Sequence, residues 1–172
     1  MTHRFSLAAS LATPLAAFAI LLLTAGAPHA APAVIAIPDI GFTDSSGEPR
    51  DQKAEHAARL QALTQGLRKD IGGNKLESLA LSCDGACRLD EAGVDALRRR
   101  AREAGAAYVL VGNVHKMSTL VMSIRLAVLD TSTGKLVLER LLSFRGDNDE
   151  GWRHMGVFVA RDVAEKLGTP PQ

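Results

Sequence analysis

The sequence has almost no excess charge. Its 172 residues carry 20 Lys and Arg against 19 Asp and Glu, a formal net charge of +1. That excludes the basic profile of a protein held on nucleic acid by counterion release. With 47% hydrophobic and 23% charged residues, it is equally unlike an acidic disordered chain. Catalytic signatures are missing too: there is no G-x-G-x-x-G, no H-E-x-x-H and no G-x-S-x-G. Ser132-Thr133-Gly134-Lys135 looks like the end of a phosphate loop, but the first Gly is absent. Leu136 also stands where Ser or Thr would hold Mg²⁺. Asp147 to Glu150 imitate part of a Ca²⁺ loop, yet Phe158 occupies the place of the bidentate Glu. No enzyme activity and no cofactor are expected.

Charge is also missing from one stretch. Residues 1–30 hold a single charged side chain, Arg4, and 19 apolar residues, densest from Ala16 to Leu23. A short basic start, an apolar run and then small residues and prolines is the order of a secretory signal peptide. Cleavage is expected between Ala27 and Ala33. This stretch has no Cys to carry a lipid, and no later segment has the ~20 apolar residues that span a bilayer. The expectation is a periplasmic protein, exported but not a lipoprotein, with no membrane span once the signal is removed. Without residues 1–30 the chain has 19 basic and 19 acidic side chains in 142 residues. That neutrality argues against nucleic acid or an anionic membrane as partner and leaves protein–protein recognition.

Cysteine is scarce: Cys83 and Cys87 only, spaced C-x3-C. In an oxidising compartment such a pair reads as a disulfide pinning a local loop. A redox pair and metal or haem ligation are the alternatives. The spacing is one residue longer than a thioredoxin-type site, and C-x-x-C-H is absent.

Ala33 to Ile40 is a β-branched run, read as a first strand, followed by turn formers from Asp44 to Asp51. Leu60, Leu63, Leu67 and Ile71 then fall on one face of a helix that Gly72-Gly73-Asn74 ends. Lys75–Ser82 is a second strand. A second helix covers about Asp90 to Glu103, with Val94, Leu97 and Ala101 inward and Arg98, Arg99, Arg100 and Arg102 toward water. Tyr108–Val114 is a strand. In Leu120–Val128 the even positions are large and apolar, which predicts one face against a core. Asp130–Lys135 makes a hairpin turn with Gly134 at positive φ, and Leu136–Phe144 returns. A last helix from about Asp149 to Leu167 buries Trp152, Met155, Val159, Val163 and Leu167, capped by Asn148 or Asp149. The organisation is a signal peptide over 1–30, one α/β domain over 31–168 and a flexible tail over 169–172. The domain is βαβαβββα: a mixed sheet with an antiparallel three-strand meander and helices packed on it.

The face of the sheet opposite those even positions shows Val121, Ser123, Arg125 and Ala127, with Asn113, His115, Val137 and Glu139 beside it. A mixed, open face of this kind suits a partner or a second copy of the chain. Candidate partner-binding residues are Lys116, Ser118, Arg125, Arg145, Asp149 and Trp152. Trp152 reads first as a core anchor of the last helix. His115 and Met117 point to one side of a strand, and with the cysteine pair they form the alternative of a soft-metal site for Cu or haem. A thiol–disulfide oxidoreductase through Cys83 and Cys87 is the third reading.

Three segments then carry a resemblance. Val114-x-Lys116-x-Ser118-x-Leu120-x-x-x-Ile124, Asp130-x-x-Thr133-Gly134 and Arg145-Gly146-x-x-Asp149-Glu150-x-Trp152 occur in this order. They resemble the signature of a family of small exported proteobacterial proteins, catalogued as a domain of unknown function (family 3280, also labelled 2380). Asp44-Ser45-Ser46-Gly47-Glu48 is similar to that family's acidic-serine turn, and the cysteine pair recurs there, more often as C-x2-C. The resemblance implies no catalytic residues. The element order is also similar to the amino-terminal domain of the Tol translocation protein and to curli-secretion-like envelope domains. Those domains act by binding envelope components, so the resemblance implies a partner in the envelope.

Overall fold

Pro38 has no backbone N–H, so a strand that runs into it cannot continue its ladder unbroken. The computed structural model, which describes residues 31–72, 76–83 and 87–168, shows the consequence. The first run divides into β1 (Ala33–Pro38) and β2 (Gly41–Asp44). Both lie parallel to β4 (Tyr108–Lys116), β1 at Ile35–Ala36 and β2 at Asn113–Lys116. Helix α1 (Lys53–Gly72) satisfies the break between them. Arg68 donates twice to the Ile37 carbonyl, at 2.7 and 3.0 Å, and the Ile40 N–H donates to Thr64 Oγ1 at 3.3 Å. The extra strand β2 is the one element that the sequence reading leaves out. The turn formers that begin at Asp44 lie where the sequence puts them, directly after β2.

The other elements are β3 (Leu76–Leu81), α2 (Glu91–Glu103), β5 (Val121–Asp130), β6 (Leu136–Arg145) and α3 (Asp149–Gly168). The strand order is β3-β1-β4-β5-β6, with β2 on β4. β1, β3 and β4 run parallel, and β4-β5-β6 is the antiparallel meander. The α/β order βαβαβββα holds, with its first strand in two pieces. Residues 1–30, the cap at Gly73-Asn74 and the tail from 169 lie outside the described residues.

Period-2 alternation gives β4 two buried faces. Leu110 and Val114 meet the core under α1 and α3, built on Leu63, Leu67, Ile71, Trp152, Met155, Val159 and Val163. Val109 and Val111 meet a smaller core under α2, with Leu97 and Ala101. On β5, Met122, Ile124, Leu126 and Val128 are buried as the alternation predicts. Leu120 is not. It precedes β5 in a turn where Ser118 Oγ accepts the Val121 N–H at 3.1 Å, and it is 67% exposed. Val137 departs as well: a register shift at Val128/Leu129 turns it toward the α1–α3 core. Arg98 does not simply face water, because it donates to the Thr131 carbonyl at 2.7 Å and fastens α2 to the hairpin. Gly134 takes φ 72° there. Asp90 caps α2, and Asn148 caps α3 by accepting the Gly151 N–H at 2.9 Å.

Candidate functional site: a buried charge cluster at the end of β4

Side chains on β4 that face α1 and α3 are apolar until the last one, Lys116, which is completely buried. A buried ammonium is tolerated only if its protons are all placed and its charge is met. Here they are. Lys116 Nζ donates to Glu48 Oε2 at 2.6 Å, to Asp147 Oδ2 at 2.9 Å and to Gln52 Oε1. Glu48 and Gln52 come from the loop between β2 and α1, and Asp147 from the loop between β6 and α3. Gly146 lets that second loop turn at φ 92°, a conformation that a side chain disfavours.

Asp147 is the centre of the cluster. Its Oδ2 also accepts from His56 Nε2 at 2.7 Å, and since an ionised carboxylate only accepts, that nitrogen carries the proton. Its Oδ1 accepts from Arg59 Nη1 at 2.8 Å and from the Trp152 indole at 3.2 Å. Burial alone would raise the pKa of this carboxyl. The bonds from His56, Lys116 and Trp152, with the positive charge around it, outweigh burial and lower it to about 2. For Lys116 burial works in the lowering direction, and Glu48 and Asp147 more than offset it, so the ammonium is held above its usual value. Phe42 covers the His56 ring at 4.5 Å between centroids, and Phe144 meets Trp152 edge-on at 6.2 Å.

A carboxyl held at about 2 is no acid near neutrality, and an ammonium with all its protons bonded is neither base nor nucleophile. What the cluster does is mechanical. It fastens two loops from opposite ends of the sequence to the tip of the central strand. The turn 117–120 begins at the next residue, and the Gly146 N–H donates to the Leu120 carbonyl at 3.2 Å, so that turn is seated on the same support.

Lys116 was expected to face a partner and does not. Its alternation with Val114 turns it into the core, where no partner reaches it. Trp152 is likewise buried, as a core anchor with its N–H engaged. Asp149 is exposed and paired with Arg59 at 2.9 Å. Ser118 lies in the turn, Arg145 opposite Val121, and Arg125 on the outer face of β5, bonded to Glu139 at 2.7 Å. Cys83 and Cys87 form a disulfide against the α2 core. Joined in that way they offer no thiolate, while His115 Nε2 is 2.6 Å from Ser45 Oγ and Met117 is partly exposed. Among the described residues no three His, Cys, Asp or Glu side chains are grouped as a metal site would need.

Sequence reasoning missed Glu48, Gln52, His56, Arg59 and Asp147. The available signal was a lysine in phase with Leu110 and Val114, since a cation on a core face demands acids from elsewhere. Three of the quoted segments, 44–48, 114–124 and 145–152, meet at this cluster through Glu48, Lys116 and Trp152.

Residues 33–163 match the family described as "Protein of unknown function (DUF2380)". The chain belongs to this family. No protein of curated function matches the sequence. Among solved structures, a PelC point variant from Paraburkholderia phytofirmans, described as a dodecamer, is 16% identical with a TM-score of 0.49. The match covers 84% of this chain and 94% of that one. TolB from Acinetobacter baumannii is 16% identical with a TM-score of 0.47, over 81% of this chain and only 29% of TolB. The LpoB C-terminal domain from Salmonella enterica is 14% identical with a TM-score of 0.46, over 66% of this chain and 82% of that domain.

Proposed function

We propose that this protein is an exported periplasmic accessory or adaptor domain, without catalysis of its own, that recognises a protein partner of the cell envelope. Export rests on the order of residues 1–30, and the Cys83–Cys87 disulfide fits an oxidising compartment. One observation carries the recognition surface. Apolar side chains point outward beside the tip that the buried cluster supports, Leu120 at 67% and Met117 at 40% exposure, and Leu141, 68% exposed, follows further along β6 opposite Arg125. Ser118, Arg125 and Arg145 stand among them. Among the described residues, the β5 side chains that pack against the core under α2 are Ala127 and Leu129, at the end of the strand away from this patch. A partner thus meets an apolar-and-basic patch that is already ordered, which lowers the entropic cost of binding.

A photo-crosslinking residue at Leu120 tests this in the exported protein. The expected result is a discrete adduct with one other envelope protein, absent when the same residue replaces Lys135 at the far end of the meander. Adducts with no preferred mass, or equal adducts from both positions, overturn the reading.

A further inference from the structure

Strand β6 ends the sheet, and its outer edge invites pairing. Natural edge strands are usually kept short or blunted by Pro, Lys or a bulge. β6 runs for ten residues without Pro or Lys, and its register against β5 is unbroken from Leu138 to Arg145. Its only side-chain cap on a carbonyl, among the described residues, is Arg140 on Glu139 at 2.9 Å. Leu136 and Leu141 are 56% and 68% exposed.

We propose that two copies of this chain pair antiparallel along β6, with a two-fold axis at Leu142, making one continuous sheet. The register follows from comparing the axes through Glu139, Arg140, Leu141 and Leu142. Side chains alternate with period 2, so the axis must pass through a residue if the helix-covered faces of both copies are to stay on one side. An axis at Glu139 or Arg140 sets like charges against each other. An axis at Leu141 leaves Val137 facing Arg145 of the second copy. An axis at Leu142 sets Arg140 opposite Phe144 and Leu141 opposite Ser143, but it alone of these four sets Glu139 opposite Arg145 of the second copy, twice by symmetry. Arg145 has no side-chain partner among the described residues, and Glu139 already holds Arg125 at 2.7 Å. Arg125, Glu139 and the incoming arginine would then alternate in sign across the joint. This inference uses the strand edge and does not rest on the envelope partner proposed above.

Sedimentation equilibrium of the purified exported protein tests it. The wild type is expected to be a dimer in the micromolar range. R145E and E139R each place like charges opposite one another twice, and each should weaken the dimer by about tenfold or more. The double variant E139R/R145E recreates the opposite-charge pairs and should return toward wild type. Both substituted positions are exposed, and urea midpoints confirm that each variant is folded. A monomer at every concentration overturns the proposal, as does a dimer indifferent to the single swaps or not restored by the double one.

Discussion

Asp130 and Asp147 are both held at about 2, by opposite means. Asp130 owes its low pKa to its own turn: Ser132 and Thr133 supply two backbone N–H groups and two hydroxyls, all within 2.9 Å of one oxygen. Asp147 owes its value to His56, Lys116 and Trp152, side chains of α1, β4 and α3 gathered in the interior against the opposing effect of burial. One carboxylate organises a hairpin that the adjacent residues would make anyway. The other joins elements separated by up to 91 positions in sequence. Equal pKa values therefore conceal very different structural weight, and the two regions can be separated by mutation.

The largest effect is expected from Lys116→Ala. It leaves Glu48 without a cation and Asp147 with Arg59 and His56 only, and breaking a buried ion pair by removing one partner costs about 3–5 kcal/mol. Urea unfolding measures this, and Asp130→Ala should cost no more than about 1 kcal/mol in the same assay.

Acid comes next. Because the Asp147 pKa is lowered on folding, its contribution is present above the unfolded value near 3.8 and is lost as pH falls toward 2. The shift corresponds to something on the order of 2 kcal/mol. Asp147→Asn should flatten the stability loss between pH 4 and pH 2. Asp130→Asn should change that slope less, because water screens the turn. Lys116, held above its usual value, contributes fully below pH 10.5 and loses that contribution only as pH rises beyond it. A wild-type acid slope kept intact in Asp147→Asn would erase the contrast between the two sites.

Cys83→Ser with Cys87→Ser opens a loop of only a few residues on the α2 side. It should lower stability by less than about 3 kcal/mol and add independently to any change at Asp147. The smallest effect is expected from Trp152→Phe, which keeps most of the ring and removes the N–H bond to Asp147, about 1 kcal/mol. Thermal unfolding resolves both.

The same contrast explains what could be read in the sequence. Local chemistry was legible. The Asp130–Gly134 turn, the Asn148 cap, the Leu63-Leu67-Ile71 stripe and the alternation of β5 each depend on residues within a few positions of one another. Long-range chemistry was not. Lys116 looked like a surface residue because lysine usually is one, and only its phase with Val114 betrays it. His56 and Asp147 carry no local mark of their partnership, since helix α1 and the β6–α3 loop that bear them meet only after β2 has rejoined β4. Leu120 was placed inward by an alternation that in fact starts one residue later.

A pair of double-mutant cycles tests the central claim most directly: Lys116→Ala with Asp147→Ala, and Ser132→Ala with Asp130→Ala, each followed by urea unfolding. Coupling of about 1–3 kcal/mol is expected between Lys116 and Asp147, and less than about 1 kcal/mol within the turn. Coupling near zero for Lys116 and Asp147 would contradict it, because the cluster would then not be what holds the two loops to the strand.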